Sequence, residues 1–201
     1  DKKFSKTINM SGVNSINWAR IVIQVVYYFF SYFKIEKNYE KLSFSVPTGN
    51  FGDIYAGYIA KKMGLPINKL IVATNSNDIL NRLIRSGIYK PLKAEQTLSP
   101  SMDIQVASNF ERLIFDIFSS NSKKTLKLME NFKKNGEFKL DKDDLGKINK
   151  IFCSGSLSDE ETKLIIKETY NEKGILVDPH TAVAIGVANK ISLEENKAIL
   201  A

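Results

Sequence analysis

Cysteine is almost absent: Cys153 is the only one among 201 residues. No intramolecular disulfide can form, and zinc sites built on cysteine spacing are excluded. A lone thiol fits a reducing, cytoplasmic compartment. Histidine and tryptophan also occur once each, as His180 and Trp18, so no metal site is expected. Arginine is scarce, four residues against 25 lysines. Sequence-specific readers of nucleic acid lean on arginine forks. The lysine surplus comes with 23 Ile and 17 Asn, a pattern of AT-rich coding. The formal charge of +7 is therefore read as a solvated face rather than a nucleic-acid surface. No apolar run approaches the roughly 20 residues of a membrane span. The longest, Ile21–Phe33, is interrupted by Gln24 and Ser31 and reads as a buried helix, so no membrane partner is expected. The N-terminus lacks both an initiator Met and the apolar core of a signal peptide. Lys197–Ala201 reads as the start of a strand, and the expectation is a segment cut at both ends.

What is present is ordinary globular composition, 43% hydrophobic and 25% charged. Residues 14–34 read as a long helix, capped by Asn14 or Ser15 and so rich in apolar residues that burial on nearly all sides is expected. Leu42–Val46 alternates as a strand. A turn, Pro47–Asp53, leads into helical spacing over Ile54–Met63, closed by Gly64. Leu70–Thr74 is a second strand, and Asn77-Asp78 opens a helix ending near Gly87. This periodicity predicts consecutive parallel strands with crossover helices over 42–87, hence an α/β fold with a parallel sheet flanked by helices.

Residues 88–103 read as irregular and Ser108–Phe118 as helical. Residues 121–150 hold nine lysines against five acids and read as two helices around Asn135-Gly136. Ile151–Cys153 is a short strand. Ser158 and Glu161 have capping-box spacing, and a last helix starts at His180 or Thr181. The expected organisation is an α/β part over 1–120, a lysine-rich helical elaboration away from the site over 121–150, and a return to the α/β part over 151–201.

The most informative segment is Ser45-Val46-Pro47-Thr48-Gly49-Asn50-Phe51-Gly52-Asp53. It leaves a strand and enters a helix. Two glycines three residues apart allow a tight turn, and free amides at the helix start favour an anion, most often phosphate. Neither the dinucleotide fingerprint nor the ATP-binding loop is matched. The alternative is a plain strand-to-helix turn, which also favours Gly, Asn and Asp.

Longer blocks extend this reading. Pro47–Ile54, Ala56-Gly57-Tyr58 and Ala60–Pro66 resemble threonine synthase. So do Asn14–Arg20, Ala73–Leu80, Leu98–Ile104, Ser108–Arg112 and Asp178–Ala182, in family order across almost the whole chain. The likeness is to the longer, fungal and bacterial type. The resemblance implies a fold-type II pyridoxal-phosphate enzyme, tryptophan synthase beta-like in fold. It implies conversion of O-phospho-L-homoserine and water to L-threonine and phosphate. Gly49, Asn50, Phe51 and Gly52 would hold the cofactor phosphate, with Asp53 closing the loop. Asn14, Ser15, Asn17 and Arg20 would contact the substrate's phosphate or carboxylate.

The family's Schiff-base lysine belongs to an N-terminal segment with no counterpart here, so no catalytic residue is assigned. Its Thr-Ala-His block would follow Ala201. The chain is thus expected to need the missing N-terminal part of the enzyme and to be inactive alone. The alternatives are another fold-type II enzyme, such as a threonine dehydratase or cysteine synthase, and a non-catalytic phosphate-binding fragment. His180 reads as a helix-start residue, Asp178 as a cap and Cys153 as a buried strand residue. Ser99, Ser101 and Asp103 read as a polar loop that could shape the site's rim.

Overall fold

The computed structural model describes residues 7–8, 14, 16–35, 40–191 and 198–200. Four parallel strands form its central sheet in the order β5-β2-β1-β6. β1 (Leu42–Pro47) passes through α2 (Gly52–Lys62) into β2 (Ile67–Thr74). Val46 lies opposite Val72 and Pro47 opposite Ala73, in the expected parallel pairing. β5 (Phe152–Ser156) flanks β2, and β6 (Ala198–Leu200) flanks β1.

Strand alternation divides the core between the two faces. Leu70 and Val72 join one cluster with Ile54, Ile84 and Leu113, whereas Ile71 and Ala73 join another with Val183, Ala184 and Val187. The first face is covered by α1 (Trp18–Lys34), α2, α3 (Ile79–Ser86), α4 (Phe110–Ile117) and α6 (Lys142–Ile151). The second carries α8 (Pro179–Lys190).

α1 departs from expectation twice. It begins at Trp18, not at residue 14, because Asn17 is the cap and its side chain accepts from the Ala19 amide. Asn14 instead accepts from the Ile16 amide in a turn ahead of the helix, and Ser15 lies outside the described residues. Nor is α1 buried on nearly all sides. Ile21, Val25 and Tyr28 form the one buried stripe, set by the 3.6-residue period. Val22, Ile23, Val26, Phe30 and Phe33 are exposed, Phe33 by 76%. No described element covers them.

The lysine-rich stretch contains α5 (Ser122–Asn135) and α6, as expected. It also contains β4 (Phe138–Lys139), which pairs antiparallel with β3 (Ile88–Tyr89). Neither was legible, since two residues cannot show alternation. The pair stacks Tyr89 on Phe138 at 4.8 Å and brings both into the first core cluster.

α7 (Asp159–Lys173) has its capping box, with Ser158 and Glu161 bonding reciprocally. α8 starts at Pro179, one or two residues earlier than expected, because Asp178 caps it. The Asp178 side chain accepts from the His180 and Thr181 amides and from the Thr181 hydroxyl at 2.6 Å. The Thr181 hydroxyl, then the His180 amide, pull the Asp178 carboxyl down to about 2. A depressed carboxyl stabilises the fold above its unfolded value near 4 and loses that contribution as pH falls through the folded value. Asp178→Ala is expected to cost about 1 kcal/mol at neutral pH, the usual worth of an N-cap. Chemical denaturation at neutral pH and at pH close to 2 checks this: the difference from the parent should shrink in acid. An undiminished difference in acid would refute the ionic cap.

Candidate functional site

β1 and β2 run parallel, so their carboxyl ends open onto the same edge of the sheet, where α/β proteins place ligands. β1 ends in the turn 47–53 and β2 in Asn75-Ser76-Asn77-Asp78. The Thr48 amide donates to the Ala73 carbonyl and ties the two ends together. A cavity of about 340 Å³ lies against the first turn. Its wall is the whole stretch Pro47–Ile54 together with Asn14 from the turn before α1, Arg20 and Gln24 from α1 itself, and Ser101 from the loop after β3. The structure therefore brings the cofactor candidates Gly49, Asn50, Phe51, Gly52 and Asp53 together with the substrate candidates Asn14 and Arg20. Asn17 is not among the lining residues.

The turn works differently from the sequence reading. Neither Gly49 nor Gly52 has a positive φ; the left-handed residue is Phe51, at φ 64°. A non-glycine residue held there costs about 1–3 kcal/mol and must be over-determined by its surroundings. Here the Phe51 ring is fully buried, edge-on to Phe110 at 5.3 Å and 5.7 Å from Phe152. The core pins the side chain and leaves the backbone to turn.

Gly49 is explained by packing. A Cβ there would lie 2.6 Å from the Ser101 carbonyl oxygen and 3.3 Å from the Met102 Cα. Past the turn, Phe51 supplies no side-chain cap to α2. The amides of Gly52, Asp53 and Ile54 have no acceptor within the helix, and they stand at its positive end. Such an arrangement suits an anion with several acceptor oxygens.

Several blocks noticed in the sequence are braces of this turn. Asn109 is fully buried and donates from its backbone and its side chain to the Asn50 carbonyl, at 3.0 and 3.2 Å. The Ser108 hydroxyl donates to Asn50 Oδ1, which leaves the amide's donor end for other partners. Arg112 bonds Asn109 Oδ1 and the Ile16 carbonyl, and its guanidinium lies over Trp18. It thus links the turn to the start of α1.

The loop carrying Ser101 is held by a second network. Asp103 Oδ1 accepts from Asn75, Asn77 and the Thr97 hydroxyl at 2.7–3.0 Å, and Oδ2 from the Thr97 amide. Asn75 and Asn77 are buried. Asp103 is a hub that fastens the loop to the end of β2 rather than a rim residue.

Two residues of the site were missed. Gln24 lines the cavity, and its Oε1 is buried without a hydrogen-bond partner. The signal was available: it interrupts the apolar run four residues after Arg20, on the same helical face. Tyr28 reaches Asp53 with its hydroxyl, and nothing in the sequence pairs residues so far apart. His180 and Cys153 are not among the residues lining the cavity. Burial raises the Cys153 thiol above its usual value, which makes it less reactive.

This fold, a parallel sheet flanked by helices, is that of the fold-type II class. The threonine deaminase of T.th. shares it at a TM-score of 0.54 over 90% of this chain and 54% of that one, with 12% identity. A much closer likeness is to the pyridoxal-phosphate-bound threonine synthase of Brucella melitensis. There the TM-score is 0.93 and the identity 45%, over all of this chain and 44% of that one.

The threonine synthase of Pseudomonas aeruginosa is 46% identical over 190 residues, 94% of this chain and 40% of that protein. No protein-family model matches the chain. The chain is homologous to threonine synthases over essentially its whole length. It spans about 40% of the length of the curated relatives it matches.

Proposed function

We propose that this chain is the part of a threonine synthase that holds the phosphate of pyridoxal 5′-phosphate and meets the anionic groups of O-phospho-L-homoserine. The observation that carries the reading is the shared cavity, in which the uncapped start of α2 faces Arg20 of α1 and Asn14 of the turn before it. The residues fit the cofactor's phosphate. Amides from Gly49 to Ile54 would donate to it, and the Asn50 side chain has its donor end available once Ser108 holds Oδ1. When bound, the cofactor supplies an electron sink for the charge left as protons leave the substrate.

This chain's residues bind and aim. Arg20 would pair with the substrate's phosphate or carboxylate, and Asn14, Ser15 and Asn17 would add donors. No lysine here is assigned as the cofactor's covalent partner, so catalysis would need the rest of the enzyme. The exposed apolar face of α1 supports that need. The single, half-buried Cys153 supports a cytoplasmic location.

The test is an assay of the full-length protein with pyridoxal phosphate and O-phospho-L-homoserine. Threonine and inorganic phosphate should appear in equal amounts. Keto acid and ammonia from threonine, without phosphate release, would assign the dehydratase reading instead. No turnover of either substrate by the folded, cofactor-loaded protein would reject both.

A further inference from the structure

α2 carries an acid in its first turn, Asp53, directly among the amides of the anion site. A first-turn carboxylate is itself a favoured partner of a helix N-terminus. Left to itself it would compete with a phosphate dianion for the same donors and repel it. The structure holds it elsewhere. The Tyr28 hydroxyl lies 3.2 Å from Asp53 Oδ1 and 3.0 Å from the Asp53 carbonyl.

The Tyr28 ring cannot swing aside. It packs on Phe44 at 5.0 Å, and on its other flank it crosses α2 at Gly57, where a Cβ would lie 2.6 Å from its Cε1. We propose that Tyr28 is a positioning residue of the anion site: its hydroxyl holds the Asp53 carboxylate against α1 and keeps it off the first-turn amides of α2, leaving them to a phosphate monoester. The proposal rests on the reading of this turn as the cradle of the cofactor phosphate.

Burial acts in the same direction. It raises the Asp53 carboxyl above its ordinary range, with the Tyr28 bond opposing, and so disfavours negative charge in the turn. The Tyr28 hydroxyl is itself pushed up, first by burial and then by Asp53, so it remains a donor. Among the described residues lining the two cavities with Asp53, the charged or titratable groups besides Tyr28 are on α1. Arg20 lies across the larger cavity, and Tyr27 is in the smaller one that Asp53 also lines. The lining residues from β1 are Phe44–Pro47, none of them titratable.

The experiment is equilibrium titration of the full-length apo-protein with pyridoxal 5′-phosphate and, in parallel, with pyridoxal, which lacks the phosphate. Tyr28→Phe frees the carboxylate and is expected to weaken binding of the phosphate form about ten- to a hundredfold, the scale of one nearby like charge. Pyridoxal binding should be unchanged. The loss, relative to the parent at the same pH, should shrink as pH falls and the carboxyl, raised by burial, takes up a proton. Adding Asp53→Asn to Tyr28→Phe should restore the affinity, which a purely structural role for the ring would not allow.

The proposal is overturned if Tyr28→Phe binds like the parent, if it weakens both ligands alike, or if Asp53→Asn brings no recovery. Should Tyr28→Phe not fold, Asp53→Asn alone decides. Binding at least as tight as the parent's supports the proposal, and weaker binding puts the carboxylate on the ligand and overturns it. A parent protein that binds pyridoxal as tightly as its phosphate ester would instead remove the phosphate cradle itself, and the proposal with it.

Discussion

Gly49→Val in the full-length protein is expected to cost about 3 kcal/mol of stability, at the upper end of ordinary overpacking. Cofactor affinity should fall with it. The Cβ at this position would sit 2.6 Å from the Ser101 carbonyl oxygen, with Ile104 Cγ1 at 3.2 Å and Met102 Cα at 3.3 Å. Two of these three are backbone atoms that no rotamer change can move. The loop from Leu98 to Ile104 would have to withdraw, and Ser101 forms part of the cavity wall.

Glycine therefore serves here to let one loop close on another, a packing role that the residue spacing did not suggest. Fold and affinity should fail together. Thermal or denaturant unfolding, alongside a cofactor titration, separates the two readings. A variant with the parent's melting temperature and much weaker binding would return Gly49 to direct ligand approach.

Asp103→Ala is expected to cost about 2–4 kcal/mol, because several hydrogen bonds to one charged acceptor are lost together. The Thr97 amide and hydroxyl, Asn75 and Asn77 all donate to this carboxylate. Asn75 keeps the Thr97 and Ser99 hydroxyls, and Asn77 keeps the Glu95 carbonyl. The Thr97 amide keeps none of its bonds to Asp103. The network joins the end of β2 to the loop that backs Gly49, so its loss should also loosen the anion turn.

Asp103→Asn offers one oxygen in place of two and is expected to lie between the parent and Asp103→Ala in denaturation midpoint. Hydrogen exchange of the Thr97 and Met102 amides should rise in both variants. The Met102 amide reports on the short helical turn Pro100–Met102, through its bond to the Ser99 carbonyl. Stability and exchange equal to the parent's would show that the loop holds without its hub.

The parallel pairing of Leu42–Pro47 with Ile67–Thr74 was legible in advance because period-two and period-3.6 patterns alternate there with short connections. The strand-to-helix turn was legible for the same reason, and its residue types pointed to an anion. The boundaries of α1 and α8 were one to four residues off. Several residues in each stretch could cap, and only the hydrogen bonds of Asn17 and Asp178 choose among them.

The antiparallel pair of Ile88–Tyr89 with Phe138–Lys139 was invisible, since it joins two residues to two across some fifty positions of chain. So were the tie from Tyr28 to Asp53, the closure of Ser101 on Gly49, and the Asp103 hub. The exposure of α1 was misjudged for a related reason. Its composition reports how apolar the helix is, but not how many neighbours it has.

Local pattern thus determined the α/β order and the place of the anion turn, because hydrophobic period and glycine spacing act within a few residues. Which residue turns left-handed, which carboxylate is held off the amides, and why Gly49 must be glycine were decided only by tertiary packing. Those outcomes depend on contacts between segments 25 to 59 residues apart, whose partners no local pattern names.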